Sequence, residues 1–332
     1  MKNKNVVVKH RFKLCNFCNV RVVSVVSLLF LLVLVFSPLV SVFNGASFFV
    51  QGVETPDKLV GTETELFNAV SEAPSDKTPY VIGISADILL KETLEIPVGK
   101  SITLVSVGDG VWSLVGTTYR GVIGVAGLLT IAGVDVTHVR NVTEWDTSCG
   151  VYIVVGGEFI LVSGKISEGD ILGLGAGVSN RGTFVMLGGE ISGNAAVHGG
   201  GVYNYDGGNF TMLGGKISNN GGGTGGGVYT NGTFTMVGGE IIDNYGGDGC
   251  GVYVEGGVFD RVGGVIQNNA PLNGGGANNV YYADSGLQDG GLFGGGWPLY
   301  FLCIVGSVAV VGGLFFYRSK RQNQSVTRSV AT

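Results

Sequence analysis

The second half of the chain repeats itself about every 25 residues, and that period constrains the fold more than any other feature. Five units align. They read GVYIVVGGEFILVSGKISEG from Gly150, GVSNRGTFVMLGGEISGN from Gly177, GVYNYDGGNFTMLGGKISNN from Gly201, GVYTNGTFTMVGGEIIDN from Gly227 and GVYVEGGVFDRVGGVIQNN from Gly251. Phe159, Phe184, Phe210, Phe234 and Phe259 mark one position, at spacings of 25, 26, 24 and 25 residues. Ile166, Ile191, Ile217, Ile241 and Ile266 mark a second. Three residues past the isoleucine stand Asn194, Asn220, Asn244 and Asn269, with Gly169 in the first unit. A sixth unit opens at Gly276 with GANNVYY and then fails.

Within a unit the apolar residues alternate. Phe210, Met212 and then Ile217 point one way and Thr211 and Lys216 the other, which is the period of a strand. Each unit reads as two or three short strands joined by Gly-rich turns. A unit this short cannot bury its own apolar face, whereas stacked units can. If each is one turn of a solenoid, its strands pair in parallel with those of the next coil, ~4.8 Å away. Phe then stacks on Phe and Ile on Ile, and the asparagines form an amide ladder at a bend. Glycine, 60 of 332 residues, suits tight bends that need positive φ. Its abundance does not mean collagen, because Pro numbers only 7 and no G-X-Y period exists. A propeller blade needs ~40 residues or more. Degenerate turns extend upstream: Leu129 precedes Phe159 by 30 residues, Ile102 precedes Leu129 by 27, and Val81 to Ser85 reads as another. Thr62-Glu63-Thr64-Glu65 is a capping-box pattern, which predicts a short helix over 63–73 covering the N-terminal end of the solenoid.

The expected fold is therefore all-β: a right-handed parallel β-helix of about eight turns, ~24–27 residues each, with a short N-terminal capping helix. The pattern resembles the right-handed β-helix of the pectin-lyase-like superfamily. Gly199-Gly200-Gly201-Val202-Tyr203 and Ile217-Ser218-Asn219-Asn220 are similar to the Gly-Gly and F-x-x-N repeats of polymorphic outer-membrane proteins and related adhesins. This chain differs in carrying Ile where those repeats carry Phe. It also ends in one apolar run rather than a barrel.

Charge divides the chain further. Residues 1–46 hold six bases and no acid, and residues 318–332 hold four bases and no acid. All 25 acids lie between them with the other ten bases, so the middle carries −15 and the ends +10. Val22 to Phe36 is an uncharged run behind the first basic stretch, and residues 1–46 read as a signal peptide or a signal anchor. Residues 297–317, WPLYFLCIVGSVAVVGGLFFY, are long enough to cross a bilayer as a helix and carry aromatic residues at both ends. Arg318, Lys320 and Arg321 follow, so the positive-inside rule places residues 318–332 in the cytoplasm and the middle outside. The expected organisation is an extracellular β-helix over 47–276, clearest over 150–276, then a Gly-rich spacer over 277–296. A single-pass anchor in the cell membrane follows.

Few residues point to chemistry. Lys165, Glu190, Lys216 and Glu240 share one repeat position and read as a ladder of alternating sign rather than an acid–base site. Asp243, Asp248 and Asp260, and Asp206 with Arg181, are close in sequence but match no catalytic motif. His138 and His198 are isolated and read as surface or turn residues. No EF-hand, P-loop, nucleophile-elbow or nucleic-acid motif is present, so no cofactor, metal or nucleic-acid partner is expected. Cys149 and Cys250 stand four turns apart, ~19 Å, and are expected not to pair. Asn141, Asn209 and Asn231 head sequons. Tyr203, Tyr229 and Tyr253, with Tyr152 earlier and Ser179 between, form either a stacked interior ladder or an exposed aromatic stripe that binds sugars as ligands. The composite expectation is a surface adhesin or envelope component that binds glycan or protein. A polysaccharide lyase or hydrolase is the alternative that the resemblance implies.

Overall fold

The computed structural model describes residues 55–117, 121–139, 149–271 and 279–283, all within the unit Glu54–Thr332. They build a parallel β-solenoid of about eight turns. Three long sheets run its length. The Phe face has nine strands, from Lys58–Val60 to Val258–Arg261. The Ile face has eight, from Ile88–Leu90 to Val265–Gln267, and the Tyr face eight, from Leu94–Ile96 to Val280–Tyr282. Every pairing between coils is parallel, because each strand meets the equivalent strand one turn later.

Register follows the repeat. On the Phe face, Tyr80, Ile102, Leu129, Phe159, Phe184, Phe210, Phe234 and Phe259 form one column. The expected upstream turns at Ile102 and Leu129 are thus real coils in the expected register. The phenylalanine rings stack at centroid distances from 4.5 to 5.2 Å and within 16° of parallel. That separation is the strand spacing itself, so backbone pairing alone brings the rings into offset-stacking range. A second column runs Leu161, Met186, Met212 and Met236 and ends at Arg261. On the Ile face Ile88, Leu114, Val136, Ile166, Ile191, Ile217, Ile241 and Ile266 align. The core is the inner part of these columns with the Val column of the Tyr face, one continuous buried cluster against which Tyr80 and Phe259 pack, while Arg261 is exposed.

At the bend after the Ile face, the asparagine ladder forms as the spacing predicts. Asn194 Nδ2 donates to Asn220 Oδ1 at 3.0 Å, Asn220 Nδ2 to Asn244 Oδ1 at 3.0 Å, and Asn244 Nδ2 to Asn269 Oδ1 at 2.9 Å. Each of these Oδ1 atoms also accepts the backbone N–H of the preceding asparagine. Each Nδ2 also reaches an Ile-face carbonyl one coil back, as Asn220 does to Ile191 O at 2.9 Å. The ladder closes on Asn279, which accepts from Asn269 Nδ2 at 3.0 Å. Four buried side chains are satisfied this way, where an unpaired amide would cost ~1–3 kcal/mol.

Helix α1, Glu63–Glu72, has both halves of its capping box. Thr62 Oγ1 accepts the Glu65 N–H, and Glu65 Oε2 accepts the N–H groups of Thr62 and Gly61. Leu66, Ala69 and Val70 join the core cluster. At its other end the buried Lys100 Nζ donates to the carbonyls of Val70, Ser71 and Ala73 at 2.8, 2.7 and 2.8 Å.

One feature differs from the sequence reading. The coils from residue 195 onward carry a fourth strand: Ala195–His198, Gly221–Thr224, Tyr245–Asp248 and Ala270–Pro271 pair as a short parallel sheet between the Ile and Tyr faces. Such segments as GGGT have no apolar alternation to betray a strand; backbone pairing with the next coil makes them one. The sixth unit pairs as well: Val280–Tyr282, the end of GANNVYY, aligns with Val252–Val254. The signal or anchor segment, residues 297–317 and the basic tail lie outside the described residues. Among the described residues no helix is long and apolar enough to cross a membrane.

Candidate functional site

On the Tyr face, Val178, Val202, Val228 and Val252 enter the core, so the next residue of each strand projects from the outer side. That position reads Glu95, Gly124, Tyr152, Ser179, Tyr203, Tyr229, Tyr253 and Tyr281 along the solenoid. The last four rings form a continuous stack at 4.7, 5.0 and 5.2 Å. The column is thus stacked but outside the core. Tyr203 and Tyr229 are nonetheless only 6% and 5% exposed, whereas Tyr281 is 38% exposed.

The segment carrying the short sheet accounts for that cover. His198 brings its ring to 5.3 Å from the Tyr229 ring and bonds Thr224 Oγ1 through Nδ1. Gly225, at φ 61°, lies so close that a Cβ there would stand 2.8 Å from Tyr229 Cβ. Gly199 and Gly249 make the same approach to Tyr203 and Tyr253. Glycine two residues before each Gly-Val-Tyr is what lets this ledge lie on the rings.

The phenol groups are tied at their edges. Tyr229 hydrogen-bonds Glu255, and Tyr152 hydrogen-bonds Glu95. Tyr205 packs edge-on against Tyr203, with the Arg181 guanidinium 3.7 Å above the Tyr205 ring centre. Burial pushes the phenols of Tyr203, Tyr229 and Tyr253 above their ordinary pKa, and the Glu255 carboxylate reinforces the shift at Tyr229.

The charged column lies on the Ile face. Lys165, Glu190, Lys216 and Glu240 are neighbours in register, and none of these pairs closes to 4.0 Å. Asp135, unnoticed in the sequence because its coil is degenerate, extends the alternation upstream: it accepts the Lys165 N–H at 2.7 Å. Burial raises its carboxyl pKa, against the pull of that N–H and of the Lys165 ammonium. Asp243 occupies a left-handed bend, Asp248 the short sheet and Asp260 the Phe face, so the fold does not bring the three together. Among the described residues no three His, Cys, Asp or Glu side chains converge as a metal site would need.

His138 is not at the surface as read. It shares the inward alternation of Val134 and Val136, and its Nε2 lies 3.2 Å from the Cys149 carbonyl. Cys149 and Cys250 are free buried thiols. Of the sequon asparagines, Asn209 is exposed at the start of a Phe-face strand and Asn231 is half-buried, its Oδ1 without a hydrogen-bond partner among the described residues. Asn141 lies outside the described residues.

Set against known protein families, curated proteins and solved structures, the chain matches none.

Proposed function

We infer that this is a single-pass cell-surface protein. Its solenoid, of the right-handed pectin-lyase-like kind, is held outside the membrane and binds a glycan or a protein along its side without turning it over. The observation that carries the reading is the regularity of the outer faces. Charge is dealt out one residue per coil with alternating sign, and aromatic side chains are laid in a single column, as in a fixed lateral binding surface. Tyr253 and Tyr281 are the open end of that column, so ligand contact begins there, with Tyr203 and Tyr229 as its buttress. Helix α1 serves as the cover of the N-terminal end, keeping the first strands from pairing with another molecule. The membrane reading rests on residues 297–317 with their basic flank, and the exported side makes Asn209 a glycan acceptor.

The test expresses the full chain with a C-terminal tag. The tag should be detected only after permeabilisation, and an antibody to residues 150–276 on intact cells. Purified protein is then applied to glycan and protein arrays, with reducing ends assayed in parallel. Binding without new reducing ends, weakened by Tyr253→Ala and Tyr281→Ala, supports the reading. Release of reducing ends would replace it with the enzymatic one.

A further inference from the structure

The tyrosine column has one missing rung. Tyr152 and Tyr203 carry rings, but the residue between them in register is Ser179. Tyr152 does not fill the place. Its ring leans back toward the preceding coil: its hydroxyl bonds Glu95, and a Cβ on Gly124 would lie 2.5 Å from Tyr152 Cζ. At this break a cavity of about 340 Å³ opens, lined by Tyr152, Ser179, Cys149, Ile171, Leu174 and Gly121. It is at the small end of the ~300–1,000 Å³ typical of small-molecule sites.

We propose that this cavity binds one neutral, phenol-sized aromatic ring, packed against Tyr152 in the rung that Ser179 leaves empty. A ring in the rung of Ser179 lies one coil step, ~4.8 Å, from the Tyr152 rung. The tyrosines already present stack at 4.7 to 5.2 Å. Ile171, 6% exposed, and Leu174 supply apolar wall, beside Tyr152 and the backbone of Gly121 and Gly173. Among the described residues no charged side chain lines the cavity. The Cys149 thiol, whose pKa burial pushes up to about 12, stays neutral at physiological pH. Ser179 lines the cavity and its hydroxyl makes no hydrogen bond among the described residues, whereas the Tyr152 hydroxyl is held by Glu95. One hydroxyl matches a phenol. A pyranose ring brings several, and each one left unpaired on burial weakens binding. The ring comes either from a free phenol or from a tyrosine side chain of a protein partner, and the site chemistry is the same for both.

The test uses the full-length protein in detergent micelles. Binding of p-cresol, N-acetyl-tyrosinamide and methyl glucoside is followed by saturation-transfer NMR, with toluene as the ring lacking a hydroxyl. Ser179→Tyr supplies the missing ring from within. It should leave the melting temperature at or above wild type and weaken p-cresol by about tenfold or more. Ser179→Ala should weaken p-cresol about fivefold, the loss of one hydrogen bond, and leave toluene unchanged. Should Ser179→Tyr fail to fold, Leu174→Trp narrows the same cavity from the ledge side and should have the same effect on p-cresol. Binding of both p-cresol and N-acetyl-tyrosinamide identifies a side-chain anchor, and p-cresol alone a site for free phenols. Equal p-cresol binding by wild type and the cavity-filling variant overturns the proposal. So does its absence in wild type, or a preference for methyl glucoside.

Discussion

Single side chains in this fold act through the coils on either side of them. Asn220 is the clearest case. It accepts two hydrogen bonds from Asn194 and donates to Ile191 O and Asn244 Oδ1, all in the interior. Asn220→Ala should lower stability by on the order of 3 kcal/mol, read as a shift in urea midpoint, because it strands partners on both sides. Asn209→Ala, at an exposed position, should change it by less than ~0.5 kcal/mol. The tyrosines give a pH dependence of fixed sign. In the unfolded chain a phenol loses its proton near pH 10.0, and in the folded protein Tyr203, Tyr229 and Tyr253 lose theirs later. Their contribution is therefore complete below pH 10 and fades as pH rises above it toward the folded values. Cys149 acts in the same direction between pH 9.0 and about 12. Thermal melts from about pH 8 to about pH 11 should show this alkaline decline, and Tyr229→Phe should flatten it. An unchanged slope would count against the buried column. The asparagine ladder was legible in the sequence because Asn recurs three residues after a marker isoleucine. A second ladder was not: Asn180 Nδ2 donates to Asn204 Oδ1 at 2.8 Å and Asn204 Nδ2 to Thr230 Oγ1 at 3.0 Å, all fully buried. Its position changes residue type from coil to coil, so no repeat marked it.

At the scale of elements, α1 depends on both of its ends. The capping box holds one, and the Lys100 ammonium holds three carbonyls at the other. Lys100→Met keeps most of the stem's packing and removes the donor. It should cost about 3 kcal/mol and speed amide exchange in Glu63–Glu72 before it affects the Phe-face strands. If the helix exchanges at the wild-type rate, Lys100 is not what secures it. The helix could be read from Thr62 and Glu65 because a capping box is local. Lys100 could not, since its partners lie 27 to 30 residues away. The same distinction separates the long sheets from the short one. Alternating Phe, Met and Ile announce strands whose side chains do the packing. The short sheet rests on backbone pairing and on the absence of side chains where it meets Tyr203 and Tyr229. Its cover of the tyrosines was therefore hidden in what looked like turns, as was the cavity beside Ser179, whose Ile171 and Leu174 come from the loop one coil earlier.

For the whole molecule, stacking in register means that length grows in steps of one coil, ~4.8 Å, with the same columns continued at each step. Phe, Ile and Asn are indifferent to which coil lies next, so their ladders would accept a duplicated unit anywhere. The column of Asp135, Lys165, Glu190, Lys216 and Glu240 would not. Duplicating residues 201–226 alone sets one Lys216 beside another, whereas duplicating 177–226 continues the alternation. The single duplication should melt below the double one, by a gap that narrows as salt is raised; equal melting at low salt would show the column to be inert. The solenoid therefore has a parity. Its neutral unit of inheritance is two coils, and a gene that lengthens this protein by odd numbers carries an electrostatic mismatch that one of even numbers avoids.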